Sequence, residues 1–230
     1  MPENKVSKFI EGVNEIEKEM SKKLKDEKRK ERFKSAIKTY MYQIQDELYN
    51  IDLSDAVKSE SFRKAYTGYY SMDRKGKYFC GEYFKIMERL KGEINLDFET
   101  VFDRVYEIAH TDEASFSSKM LHTINPDLPI WDSIVAKEHF GMKVRYYKAY
   151  LREFNKYKLS KKGQYVIGLF DKICDDLFGK DSSEANKAKT CITDTKKIDF
   201  VLWQCREEKK MRKTENDLII NVTLSHKFKK

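Results

Sequence analysis

Residues 115–135, SFSSKMLHTINPDLPIWDSIV, hold the pattern on which the reading of the whole chain turns. Ser115, Ser117 and Ser118 form a Ser-rich turn, and a short helix is expected over 117–124 with Lys119 at its beginning. NPDLP at 125–129 must break that helix, because proline lacks a backbone donor and restricts the residue before it. Asp132 then opens a helix that stops near Gly141. Lys119 and Asp132 are 13 positions apart, so helix, turn and helix start can fold them back toward each other. A lysine facing a helix-terminal carboxylate is a workable catalytic pair. The carboxylate can stabilise positive charge on a sugar, and an amine that gives up its proton can attack carbon. Aspartate is also a favoured N-cap, and capping and catalysis do not exclude each other.

Outward from this stretch the chain reads as all-α. Gly (9) and Pro (3) are scarce in 230 residues, too few for Gly-rich Rossmann turns or the tight corners of a β-sandwich. Apolar residues make up 40%, with 14 Phe, 14 Tyr and 2 Trp, ample for a core despite 37% charged residues. Steps of three and four run through Phe9, Val13, Ile16, Met20 and Leu24, then through Phe33, Ile37, Tyr40, Met41, Ile44 and Leu48. Between them KDEKRKER, at 25–32, continues the helix or forms a hinge with a solvated face. Similar stripes are Phe98/Val101/Phe102/Val105/Ile108, Val144/Tyr147/Leu151/Phe154, Val166/Phe170/Ile173/Leu177 and Ile198/Val201/Leu202/Cys205. Ser54 and Asp55 are expected to cap a short helix over 56–66, and the Gly-containing segment that follows reads as loop until a helix through Phe84, Met87 and Leu90. KDSSEANKAKT at 180–190 reads as a polar loop, and 218–224 is β-prone but isolated. The expected organisation is one all-helical domain: 1–50 as N-terminal amphipathic helices, 51–215 as the core and 216–230 as a tail.

The formal net charge is +8, the sign a polyphosphate partner requires. Cys80, Cys174, Cys191 and Cys205 form no CxxC pair, so a reducing compartment is expected. The N-terminus has no signal-peptide h-region, and no apolar run reaches 18 residues. The expectation is a cytoplasmic protein without a membrane span. His110, His122, His139 and His226 show no HExxH spacing, so no metal and no cofactor are expected. A Ser-x-x-Lys hydrolase pattern would need serine at position 116, which is Phe116.

The segment SFSSKMLHTINPDLPIWDSIV resembles the centre of helix-hairpin-helix base-excision glycosylases, in particular divergent bacterial proteins similar to 8-oxoguanine DNA glycosylase. In that superfamily a Gly-x-Gly hairpin leads into a helix bearing a catalytic lysine, and a Pro-Val-Asp-type segment delivers a catalytic aspartate. Lys119 falls at the lysine position and Asp132, within PIWDSIV, at the aspartate position. GYYSMDRKGKYFCGEYFKIM resembles the aromatic region upstream, so the resemblance covers roughly 66–141. It implies a two-lobed helical fold with a central cleft and DNA as partner, with an extruded base as substrate. Ser115 and Ser117 occupy the hairpin glycine positions. A serine side chain obstructs close approach of backbone N–H groups to a phosphate. Two readings follow: a DNA N-glycosylase, with strand cleavage if Lys119 is the nucleophile, or an inactive nucleic-acid- or partner-binding module on the same scaffold. Ser115, Ser117, Ser118, Arg74, Lys75 and Lys77 are the candidate DNA contacts. Tyr69, Tyr70, His122 and Trp131 are the candidate pocket walls, since aromatic faces hold unstacked bases.

Overall fold

The computed structural model describes residues 3–206 except 73 and 143–145, with side chains from position 14 onward. The β-prone segment 218–224, the tail, His226, Val144 and the side chains of Phe9 and Val13 lie outside that description. Among the described residues the chain forms eleven α-helices and one π-helix, with no strand. They are α1 (Glu3–Leu24), α2 (Glu27–Lys38), the π-helix (Thr39–Gln45), α3 (Glu60–Tyr69), α4 (Lys77–Leu90) and α5 (Phe98–Ala109), then α6 (Ala114–Ile124), α7 (Ser133–Phe140), α8 (Tyr147–Leu159), α9 (Lys161–Phe178), α10 (Ser183–Cys191) and α11 (Asp194–Cys205). No helix among them is long and apolar enough to cross a membrane.

The local chemistry explains most boundaries. In KDEKRKER the helix breaks: Asp26 accepts from the Arg29 N–H at 3.0 Å and caps α2, so α1 and α2 are separate. α2 runs directly into the π-helix, whose wider turn buries Tyr40, Met41 and Ile44. α7 ends on Gly141 at φ 63°, a left-handed position that glycine adopts without a Cβ penalty. The junction of α8 and α9 also demands glycine. A Cβ on Gly163 would lie 2.1 Å from the Tyr157 carbonyl oxygen.

Three expectations are corrected. The helix expected over 56–66 is α3, starting at Glu60, because Asp55 spends its carboxylate on the N–H groups of Val57 and Lys58 in a turn. Gly68 and Gly81, expected in a loop, lie inside α3 and α4. The polar segment 180–190 contains α10. Ser182 caps it through the Ala185 N–H at 3.1 Å, and its two small residues, Ala185 and Ala188, are fully buried as the helix packs on α9. Charge hid the helix because its apolar face is made of alanines.

A single apolar core runs from Ile16 on α1 to Leu202 on α11. α9 lies at its centre, in contact with α1, α2, α8, α10 and α11. On the other side α5 packs on α4 and α6. Side chains of the π-helix and of the turn after it reach α6: Gln45 donates to the Thr123 carbonyl at 3.2 Å, the Tyr40 hydroxyl lies 3.4 Å from His122 Nε2, and Tyr49 donates to the Ile124 carbonyl at 3.3 Å.

A candidate active site built on α6, α7 and α11

Ser115, Ser117 and Ser118 do not form a turn. They lie inside α6, which is already helical from Ala114. The hydroxyls fold back on the helix: Ser117 donates to the Glu113 carbonyl at 3.0 Å, Ser118 to Ser115 at 2.9 Å and Thr123 to Lys119 at 2.8 Å. These bonds let Ser117, Ser118 and Thr123 be fully buried without an orphaned hydroxyl.

The loop from Asn125 to Asp132 is pinned by side chains from four directions. Thr193 donates to the Pro126 carbonyl at 2.8 Å and Thr195 to that of Asp127 at 3.1 Å. Tyr147 donates to the Pro129 carbonyl at 2.7 Å. Ser118 accepts from the Trp131 N–H at 2.9 Å, and His122 Nδ1 lies 2.6 Å from the Leu128 carbonyl. A carbonyl only accepts, so Nδ1 carries the proton and Nε2 faces the Tyr40 hydroxyl at 3.4 Å. Burial, then the charge of Lys196, pushes the His122 pKa down to about 3, so the ring is neutral. Replacing Ser118 by Ala is expected to leave the Trp131 N–H without its acceptor and to lower stability by about 1–2 kcal/mol in urea denaturation. An unchanged midpoint would show that the loop is not held there.

This bracing fixes the start of α7, where Asp132 stands. Asp132 is the N-cap of α7, one oxygen accepting from Ile134 N at 2.8 Å and Val135 N at 3.1 Å. Its other oxygen accepts from Arg206 Nη1 at 3.1 Å. Lys119 and Asp132 both line one cavity of about 810 Å³, within the ~300–1,000 Å³ typical of small-molecule sites. Tyr69 of α3 and Tyr70, its C-cap, line it too, with Phe33, Phe200 and Trp203. Thr39 and Gln43 of the π-helix form part of the opposite wall. The Lys119 ammonium donates to the Tyr70 carbonyl at 3.2 Å and lies 4.5 Å from the centre of the Phe116 ring. Burial lowers its pKa. Asp132 and Asp199 oppose that shift, and Lys196 and Arg206 add to it.

The remaining expected site residues fall elsewhere. His122 is fully buried behind the wall, and Trp131 packs on Tyr150 at 5.3 Å, so neither lines the cavity. Lys75 forms an ion pair with Glu113 and lies 5.1 Å from the Phe116 ring. Arg74 and Lys77 are exposed and do not line the cavity.

Sequence reading missed the contribution of α11. Lys196 lines the cavity with its side chain only 2% exposed and pairs with Asp199 at 2.7 Å. Four rings surround its ammonium: Tyr40 and Phe200 at 4.8 Å, Tyr69 at 5.3 Å and Tyr70 at 5.9 Å. The signal was present in TKKIDFVLW, where Lys196 stands one helical turn before Phe200 and Lys197 one turn before Val201. Both lysines therefore fall on apolar faces. Lys197 forms an ion pair with Asp171 at 2.9 Å. Arg206 is stacked on Trp203 at 4.1 Å, and its carbonyl accepts from Lys23 at 2.9 Å. In all, five cations (Arg32, Lys64, Lys119, Lys196 and Arg206) and two carboxylates face the cavity. Such a balance favours an anionic ligand. No family model, curated protein or solved structure matches the chain.

Proposed function

We propose that this protein is a DNA glycosylase-like enzyme acting on a damaged or modified base through Lys119 and Asp132, on a two-lobed scaffold of the helix-hairpin-helix type. The observation that supports this reading is the meeting of Lys119 and Asp132 in one aromatic-walled, cationic cavity. An extruded base would stack on the aromatic wall beside Tyr69. The Lys119 amine attacks C1′ of the sugar. The bond from C1′ to the base breaks, its electron pair leaves with the base, and the base takes up a proton. Asp132 faces the positive charge that develops on the sugar. A Lys119–C1′ adduct then opens the sugar to an imine, from which strand cleavage proceeds.

A second reading, a nucleic-acid- or partner-binding module without chemistry, is favoured by the burial of Ser117 and Ser118. At one of the two expected hairpin positions the backbone N–H is already spent, Ser117 donating it to the Glu113 carbonyl at 2.9 Å as α6 begins.

The test uses duplexes carrying 8-oxoguanine, uracil, an alkylated base or an abasic site, with borohydride present to reduce any imine. A trapped adduct that disappears in Lys119→Ala is the expected result. Asp132→Asn keeps an N-cap residue and is expected to slow base release by roughly 10²–10⁴-fold. Salt-sensitive binding without cleavage or trapping on any substrate would overturn the enzyme and leave the module. Loss of binding as well would overturn both.

A further inference from the structure

Four cations lie around the Phe116 and Tyr70 rings or beside Asp132: Lys75, Lys119, Lys196 and Arg206. Three of them hold a carboxylate. Lys75 holds Glu113, Lys196 holds Asp199 at 2.7 Å and Arg206 holds Asp132 at 3.1 Å. Among the described residues Lys119 has no carboxylate within ion-pair distance, and its one polar partner is the neutral Tyr70 carbonyl at 3.2 Å. It sits 5.8 Å from the Tyr70 ring that Lys196 also faces, so two ammonium groups share one aromatic neighbour.

We propose that Lys196 and Arg206 are positioning residues for Lys119: by occupying Asp199 and Asp132 they keep the two cavity carboxylates from pairing with its amine, which is left ready to react. This rests on the reading of Lys119 as the nucleophile of the cavity. The physical argument is one of competition. A carboxylate released from its present partner would favour the ammonium form of Lys119, and removing a neighbouring positive charge acts in the same direction. The direction of the Lys119 shift agrees, with Lys196 and Arg206 both among its causes. Lys196 is fixed by its aromatic cage, and Arg206 by the Trp203 ring and by Lys23. Asp199 and Asp132 are therefore each engaged by a cation other than Lys119.

The test needs no DNA. The full chain is labelled with acetic anhydride at a series of pH values, and the rate at each lysine is read by peptide mass spectrometry. Only the uncharged amine reacts, so each pH profile reports the protonation of one site. Exposed Lys77 is the internal reference. In the wild type the Lys119 midpoint is expected to lie below that of Lys77. In Arg206→Gln it is expected to rise by up to about one pH unit, slowing Lys119 labelling at neutral pH by up to about tenfold with Lys77 unchanged. Lys196→Met is expected to act in the same direction. Should that variant not fold, Arg206→Gln decides the matter alone, because its guanidinium is partly exposed. A Lys119 midpoint at or above that of Lys77, or one that does not move in Arg206→Gln, overturns the proposal. A packing role alone would change stability and leave the midpoint where it was. Failure of glycosylase activity with a lowered, Arg206-dependent midpoint would overturn the proposed reaction and leave the tuned amine intact.

Discussion

Acidification from neutral pH is expected to weaken the fold well before the carboxylates titrate, and His122 is the reason. The ring is fully buried and uncharged, with its pKa moved from 6.5 to about 3 by burial. In the unfolded chain the same ring is charged below 6.5. Between those two values the unfolded state binds the extra proton, so stability is fully present above about 6.5 and is lost progressively as pH falls toward 3. Each pH unit within that window costs about 1.4 kcal/mol, for a total on the order of 5 kcal/mol. Burial lowers His139 as well, so it contributes in the same direction. Urea midpoints of the wild type and His122→Asn, measured from pH 7.5 to 4.5, separate the two. Asparagine keeps a donor for the Leu128 carbonyl and removes the titration. The expected result is a wild-type stability that falls more steeply than that of the variant. Parallel profiles would sink the assignment of a neutral His122.

The second large effect concerns Lys196. Its side chain is 2% exposed and that of Asp199 12%, and the two lie 2.7 Å apart. Replacing Lys196 by Met leaves the Asp199 carboxylate without its partner in a desolvated place, which costs about 3–5 kcal/mol. The aromatic cage would also lose the attraction of its four rings for the ammonium. Removing both charges is a different matter. In Lys196→Met/Asp199→Leu neither charge is stranded, and apolar pairs of similar volume often match or exceed a buried ion pair. Most of the single-variant loss is therefore expected to be recovered. Urea denaturation of the wild type and both variants tests this, and a double variant no more stable than Lys196→Met would refute it. That result would mean that the pair stabilises the fold in its own right.

Helical character was legible because it is a property of local spacing. Apolar residues at steps of three and four placed α5, α9 and α11 where they are, and the proline-bounded NPDLP placed the break between α6 and α7. Locality also explains the errors. Ser115, Ser117 and Ser118 looked like a turn because serine competes for backbone groups in turns. Inside α6 the Ser117 and Ser118 hydroxyls instead bond carbonyls one turn back along the chain, an outcome set by burial. α10 looked like a loop because its buried face consists of Ala185 and Ala188, too small to register as an apolar stripe.

The stretch 115–135 by itself determined a helix, a tight break and a capped helix start, and Lys119 and Asp132 both line the same cavity. It could not determine what else would meet them. Lys196, Asp199 and Arg206 are more than 60 positions further along the chain, and their side chains join the site only because α11 packs on α7, α8 and α9. The same packing brings Thr193 and Thr195 onto the carbonyls of the 125–132 loop and so fixes the position of Asp132. Sequence spacing encodes which face a residue takes within its own helix. Which carboxylate Lys196, Lys197 and Arg206 each find was decided by the tertiary structure, because charge pairing depends on distance in space and on exclusion of water.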